Sequence, residues 1–403
     1  MRQVRWACGM VTLAMALAVC GMRPAVADIR SDQAAAILEW PSVIYFAPTS
    51  DFVLGPITAS GVLFNTVIQL SNTSTDPVFV HCFYENANAH CSNTGEVCVE
   101  PQDCCGTSGC GSCKPGWNET DFHVQITPRQ PLGWLASDGL SGFDPTPPNY
   151  FGTFPIDGVH NFGIDGTSSN ATSAIPPVPE EPFNGSLRCI AVDADDVPVD
   201  RNVLKGEGSL ELYQTGSQDN LSVAKANAIG IQAIPGANNG DNVLVLGGSD
   251  AEYNGCPNYL ILNHFFDFAE NPVTEDGSFV LSALTLVPCT QDYQRQIPGA
   301  AVVQYLVYNE FEQRFSTSQP FKCKELTLLS NIDTTQNLRS IFSAGIAGTL
   351  TGQTRVNPIG SGALGVLTEI HAPSSPDAVT APIADVNLHY QGDRTDADLI
   401  TLP

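Results

Sequence analysis

The sequence predicts an all-β fold: immunoglobulin-like β-sandwich domains with a small disulfide-rich insertion and long Pro/Gly loops. Three observations carry this. Short β-branched or aromatic runs return roughly every dozen residues. The runs are punctuated by 35 Gly and 29 Pro, and helical periodicity is scarce, which together favours packed sheets over alternating α/β units.

Residues 1–27 read as a secretory signal peptide. The start Met-Arg-Gln-Val-Arg is cationic, an apolar run extends from Trp6 to Val19, and small residues (Ala25, Ala27) precede the expected cut after Ala27. The run is shorter than the roughly 20 residues a spanning helix needs, so the chain is expected to be exported (extracellular, cell-surface or periplasmic) and not transmembrane. Leu17-Ala18-Val19-Cys20 resembles a bacterial lipoprotein box, although Val19 stands where that family has Gly, Ala or Ser. Removing Arg2, Arg5 and Arg23 with the signal leaves 14 Lys+Arg against 42 Asp+Glu. So acidic a surface repels nucleic-acid phosphates and anionic headgroups, which excludes those partners.

Gln33–Leu38 is Ala-rich and follows Ser31 and Asp32, which predicts a short helix over Ser31–Trp40; Thr335–Phe342 is a second such segment. Strands are expected at Val43–Phe46, Val67–Leu70, Val78–Tyr84, Phe122–Ile126, Leu187–Val192, Val243–Leu246, Leu281–Val287, Val302–Tyr308 and Leu364–Ile370. The turn-rich Asn72–Pro77 between Val67–Leu70 and Val78–Tyr84 predicts an antiparallel hairpin. This strand–Asn-turn–strand pattern resembles the openings of bacterial immunoglobulin-like surface domains. Val303–Leu306, Asn309 and Phe321–Cys323 echo it later in the chain.

Six cysteines crowd into 91–113: Cys91, Cys98, Cys104, Cys105, Cys110 and Cys113. The residues between them are mostly polar or Gly, so cross-links must supply the stability that packing cannot. Structural disulfides are favoured over a metal site, because the adjacent Cys104–Cys105 breaks zinc-ribbon spacing and the only C-x-x-C is Cys110–Cys113. Cys104 and Cys105 should bond to different partners. The segment is similar to the cysteine-rich inserts of other secreted proteins. Cys82, Cys189, Cys256, Cys289 and Cys323 are an odd set, expected to give core disulfide bonding and one leftover thiol; the pairing itself is not readable.

Leu140–Phe183 holds Asp144-Pro-Thr-Pro-Pro148 and Ile175-Pro-Pro-Val-Pro-Glu-Glu-Pro182, too much Pro for regular pairing. The expected organisation is therefore a β-sandwich domain over 28–140 with the insert at 91–113, a linker or surface excursion over 141–183, and a larger β-sandwich domain over 184–403.

For chemistry, Asp193, Asp195, Asp196 and Asp200 form the densest acidic cluster and are a candidate calcium site, though without the Gly and Glu of an EF-hand loop. No other cofactor is expected. His81 and His123 fall in strand runs and read as hydrogen-bonded sheet residues. His264 and Asp267 lie close in sequence, yet no G-x-S-x-G elbow accompanies them, so packing is the better account. Glu310 and Glu312 would share one strand face with Arg314 and read as solvated. Asn72, Asn118, Asn170, Asn184 and Asn220 open N-x-S/T sequons. No catalytic residue is assigned. The expectation is a secreted or cell-surface non-catalytic protein with a binding, adhesive or structural role toward an extracellular protein or glycan. The alternative is a polysaccharide-acting hydrolase on the same scaffold.

Overall fold

A computed structural model describes residues 33–49, 52–54, 57–59, 61–98, 101–106, 109–140, 175–214, 221–270, 278–333, 350–372 and 382–403. Among them nearly every pairing is antiparallel, and helical structure is confined to single turns at Pro101–Cys104 and Leu329–Ile332. The signal segment, Thr335–Phe342, Asn170 and Asn220 lie outside the described residues.

The first body is a nine-stranded sheet. Its strands are β1 (Ile37–Phe46), β2 (Val62–Asn72), β3 (Val78–Asn86), β4 (Asn118–Ile126), β5 (Pro131–Leu135), β6 (Phe183–Val192), β7 (Leu204–Gln214), β8 (Leu221–Asn227) and β9 (Ile229–Ile231). The order is β4-β3-β6-β1-β2-β7-β8, with β5 on β2 and β9 on β1. The register of β1 against β6 shifts between Trp40 and Val43, around Pro41, which has no amide hydrogen to donate. Before this point β1 pairs β9, and after it β2. Ile68 and Leu70 of β2 and Leu132 and Trp134 of β5 pack face to face on Val78, Val80, Cys82 and Tyr84 of β3. Trp134 Nε1 donates to Tyr84 Oη across this core at 2.6 Å.

Two expectations are corrected here. The Ala-rich start is strand: Ala35 bridges Leu204, and β1 begins at Ile37. Its unbroken apolar run reflects burial on two sides, with Leu38 in one core and Ala36 and Ile37 in another, as in strands covered on both faces. Likewise β2 and β3 are not a hairpin, because β1 and β6 lie between them in the sheet. The Thr73–Pro77 connection crosses the sandwich, held by Asn72 Nδ2 donating to the Asp76, Ile126 and Thr127 carbonyls. The later echo does form a hairpin, so the two segments differ in topology.

The expected boundary at 141–183 is also corrected by the pairing. β6, β7 and β8 belong to the first sheet, with β6 between β3 and β1. Of the Pro-rich segment, 141–174 lies outside the described residues; from Ile175 the chain packs on the first core through Ile175 and Val178. Proline and glycine mark where pairing stops, and they carry no information about which sheet the chain rejoins.

Beyond the first sheet come β10 (Val243–Leu246), β11 (Pro257–Phe265), β12 (Phe279–Pro288), β13 (Ala300–Asn309), β14 (Arg314–Lys322), β15 (Glu325–Leu328), β16 (Thr351–Ile359), β17 (Ala363–Ala372), β18 (Ile383–Asn387), β19 (His389–Asp393) and β20 (Asp398–Thr401). A five-stranded sheet, β14-β13-β16-β11-β19, packs on a second one in which β12 pairs β17 and β15 and β17 pairs β18. Leu260, Leu262, Val303, Tyr305, Val307 and Val356 meet Leu284, Leu286 and Leu367 between them. The opposite face of β12, Leu281 and Ala283, packs on Phe64, Leu210 and Leu212 of the first sheet. Burial on both faces is why Leu281–Val287 reads as a continuous apolar run. β10 and β20 pair beside Cys256 and Cys289 in a further shared core.

Among the described residues, five disulfides fasten the chain. Cys91–Cys104, Cys98–Cys113 and Cys105–Cys110 close the insert upon itself. Cys104 and Cys105 have different partners, as expected, and the C-x-x-C cysteines are not paired with each other. Cys82–Cys189 joins directly opposed residues of β3 and β6, Cys256–Cys289 braces the second body, and Cys323 is a buried free thiol.

Candidate functional site

Strand alternation sorts β3 into two faces. Val78, Val80, Cys82 and Tyr84 enter the sandwich core, so Phe79, His81, Phe83 and Glu85 lie on the other side. On β4 the same rule puts Glu119, Asp121 and His123 on that side, and the register places His123 directly opposite His81. Their rings lie 3.8 Å apart between centroids, and Phe83 packs on the other side of His81 at 4.1 Å.

The third participant arrives from the turn after β6. Asp193 Oδ1 accepts the amides of Asp195 and Val197, which closes a tight loop, and Asp196 adopts a left-handed φ of 64°. Its carboxylate thereby reaches over the histidine pair. Asp196 Oδ1 lies 3.0 Å from His81 Nδ1 and 3.3 Å from His123 Nε2. On the far side of the ring, His81 Nε2 meets Asp121 Oδ2 at 3.3 Å. His81 is buried, while His123 and Asp196 are each about a quarter exposed.

The charges are strongly interdependent. Burial would raise Asp196, but the imidazoles of His123 and His81 outweigh it and hold the carboxyl down at about 2. Burial lowers the basicity of His81, and Asp121 and Asp196 more than restore it. His81 in turn holds Asp121 below the usual carboxylate range. Neighbouring Glu119 is pushed up to about 7 by burial and by the charge of Asp121.

The acidic loop does not form the oxygen cage expected of it. Asp193 is engaged with its own turn, Asp200 Oδ2 accepts the Gly236 amide, Asp195 is exposed, and Asp196 turns to the histidines. Among the described residues, no three of those four carboxylates come together. The other candidates lie apart from this cluster. His264 hydrogen-bonds Thr354 and the Phe265 carbonyl, burial lowers it to about 4, and Asp267 accepts the amides of Ser282 and Ser330. Glu310 and Glu312 fall in the turn between β13 and β14, not on a strand, and Glu310 caps Leu350 and Thr351. Among the sequons, Asn72 is buried with its amide bonded three times, and Asn184 accepts from Lys324. Asn118 is exposed.

A second polar cluster lies in the seam between the bodies. Arg188 Nε donates to Glu39 Oε2 at 2.6 Å, and its other nitrogens donate to the Pro288 and Cys289 carbonyls. Glu85 accepts from Ser186, Gln291 and Tyr293. All of these side chains are fully buried. With every route to water closed, the cluster ties β1, β3 and β6 to the second body.

No protein-family model matches the chain, and neither does any curated protein sequence. Among the described residues, no helix is long and apolar enough to cross a membrane. Sequence reasoning treated His81 and His123 singly and Asp196 as part of an acidic loop. No short spacing joins them. The one available signal was the alternation that puts both histidines on non-core faces of their strands.

Proposed function

We propose that this is an exported, non-catalytic immunoglobulin-like β-sandwich protein that binds an extracellular protein or glycan. The observation that carries this reading is the outward face of the β14-β13-β16-β11 sheet. Alternation presents Arg314, Ser316, Ser318 and Lys322 on β14, and Val302, Gln304, Leu306 and Tyr308 on β13. Gln353, Arg355, Asn357 and Ile359 follow on β16, then Tyr259, Ile261, Asn263 and Phe265 on β11. Four strands at about 4.8 Å spacing make a face roughly 14 Å wide. On these four strands no Asp or Glu occupies an outward position, in a chain with 42 of them, and the fifth strand, β19, adds His389, Gln391 and one acid, Asp393, at the edge. Aromatic rings, amides and isolated arginines are the residue types suited to recognising a surface, with the acidic remainder keeping the molecule soluble. Five disulfides accord with an oxidising compartment.

The test compares wild type with a Tyr259→Ser/Arg355→Glu variant, both immobilised and offered a glycan panel and cell-surface extracts. Retention of a ligand by wild type and its loss in the variant is the expected result. Equal retention by both, or release of reducing ends from any polysaccharide, refutes the reading. Fractionation of the source cells checks export, with Asp28 as the expected mature N-terminus.

A further inference from the structure

We propose that His81, His123 and Asp196 hold a divalent transition-metal ion of the zinc class. Their donor atoms, Nδ1, Nε2 and Oδ1, all lie within 4.8 Å of one another. All three are buried from solvent, and none has a hydrogen-bond partner. The 3.0 and 3.3 Å contacts to Asp196 are close enough for hydrogen bonds, yet the ring N–H directions do not point at the oxygen. Three unpartnered donor atoms, two nitrogens and one carboxylate oxygen, thus share one buried spot within ligand-to-ligand range.

The proton inventory argues the same way. The contact with Asp121 occupies His81 Nε2; in the neutral imidazole with its proton there, Nδ1 would present a lone pair to the carboxylate oxygen. Two lone pairs at 3.0 Å in a buried setting repel, and a shared cation turns that repulsion into attraction. The spacing suits such an ion, since donors bound at about 2.0–2.1 Å around a tetrahedral Zn²⁺ lie roughly 3.3 Å apart. Two imidazoles and one carboxylate select zinc, copper or nickel over calcium, which takes oxygen donors. Asp121 then plays the outer carboxylate that fixes a ligand histidine's tautomer and orientation. His123 and Asp196 are each about a quarter exposed, so the site lies close beneath the surface.

The competing state is metal-free, with a doubly protonated His81 bridging Asp121 and Asp196. The experiment separates the two. The purified mature protein, its disulfides intact, is stripped with a chelator and titrated with Zn²⁺ and with Co²⁺ near neutral pH, against a competing chromophoric chelator. The expected result is one equivalent bound, visible bands of four-coordinate Co²⁺, and no displacement by Ca²⁺. His123→Ala and Asp196→Asn should each weaken binding by a hundredfold or more, and Asp121→Asn by about 10–100-fold. His81 is buried and its replacement risks misfolding, so the half-open His123 and Asp196 positions carry the test, with circular dichroism confirming their fold. Wild type that binds Zn²⁺ no more tightly than His123→Ala, or a site from which Ca²⁺ displaces Zn²⁺, overturns the proposal.

Discussion

Cys82 and Cys189 are separated by 107 residues, the longest loop any disulfide here closes. Cross-linking removes chain entropy from the unfolded state in proportion to the logarithm of loop length, which gives about 4.8 kcal/mol for this bond. The same relation gives about 3.7 kcal/mol for Cys256–Cys289, whose separation is 33. For Cys105–Cys110, with a separation of 5, it gives about 2 kcal/mol. The insert's own bonds shorten the long loop by some twenty residues when oxidised, a correction of only about 0.2 kcal/mol. Paired Cys→Ala variants, unfolded in urea under non-reducing conditions and followed by tryptophan fluorescence, should therefore lose stability in that order. The Cys105→Ala/Cys110→Ala pair should fall well below its loop value in this assay, because the insert can open without exposing Trp40 or Trp134 in the main body. A Cys82→Ala/Cys189→Ala variant costing less than about 1 kcal/mol, or less than the insert variant, would refute loop closure as the source of its stability.

Cys323 is 3% exposed and burial pushes its thiol well up, so in a chain beginning at Asp28 a thiol reagent should modify no cysteine in the native state and one after denaturation without reductant; labelling in the native state would contradict that. Replacing Arg188 with Met strands the buried Glu39 carboxylate and should cost about 3–5 kcal/mol, while Glu39→Met/Arg188→Met should recover most of it. Chemical denaturation of both variants decides, and a double variant no better than the single would mean that the carbonyl bonds of Arg188 matter more than the ion pair. Burial lowers Lys324 to about 7 from an ordinary 10.5. The folded chain therefore binds one proton fewer than the unfolded chain between those values, and the burial penalty, complete below pH 7, fades as pH rises. Stability of wild type relative to Lys324→Met should climb from pH 6.5 to 9.5 by up to about 1.4 kcal/mol per unit, and a flat difference would place the charge outside the seam.

What the sequence determined alone was local. Residue pairs a few positions apart carry strand alternation and turn chemistry, so the strand at Val302–Tyr308 and the oxidised insert were legible before any coordinates. The helix expected before Trp40 failed because an apolar run without alternation fits a strand buried on both faces as well as a helix.

Only the tertiary structure decided which strands meet. Whether Asn72 turns a hairpin or crosses a sandwich, whether Phe183 opens a new domain or fills the centre of an existing sheet, and which cysteine finds Cys82 all depend on contacts between distant segments. The energy of those contacts comes from joint burial, a property of pairs of faces and not of either face alone. The same is true of His81, His123 and Asp196. Each is an ordinary polar residue where the chain writes it, and register on one side and a left-handed turn on the other bring their donor atoms within 4.8 Å of one another.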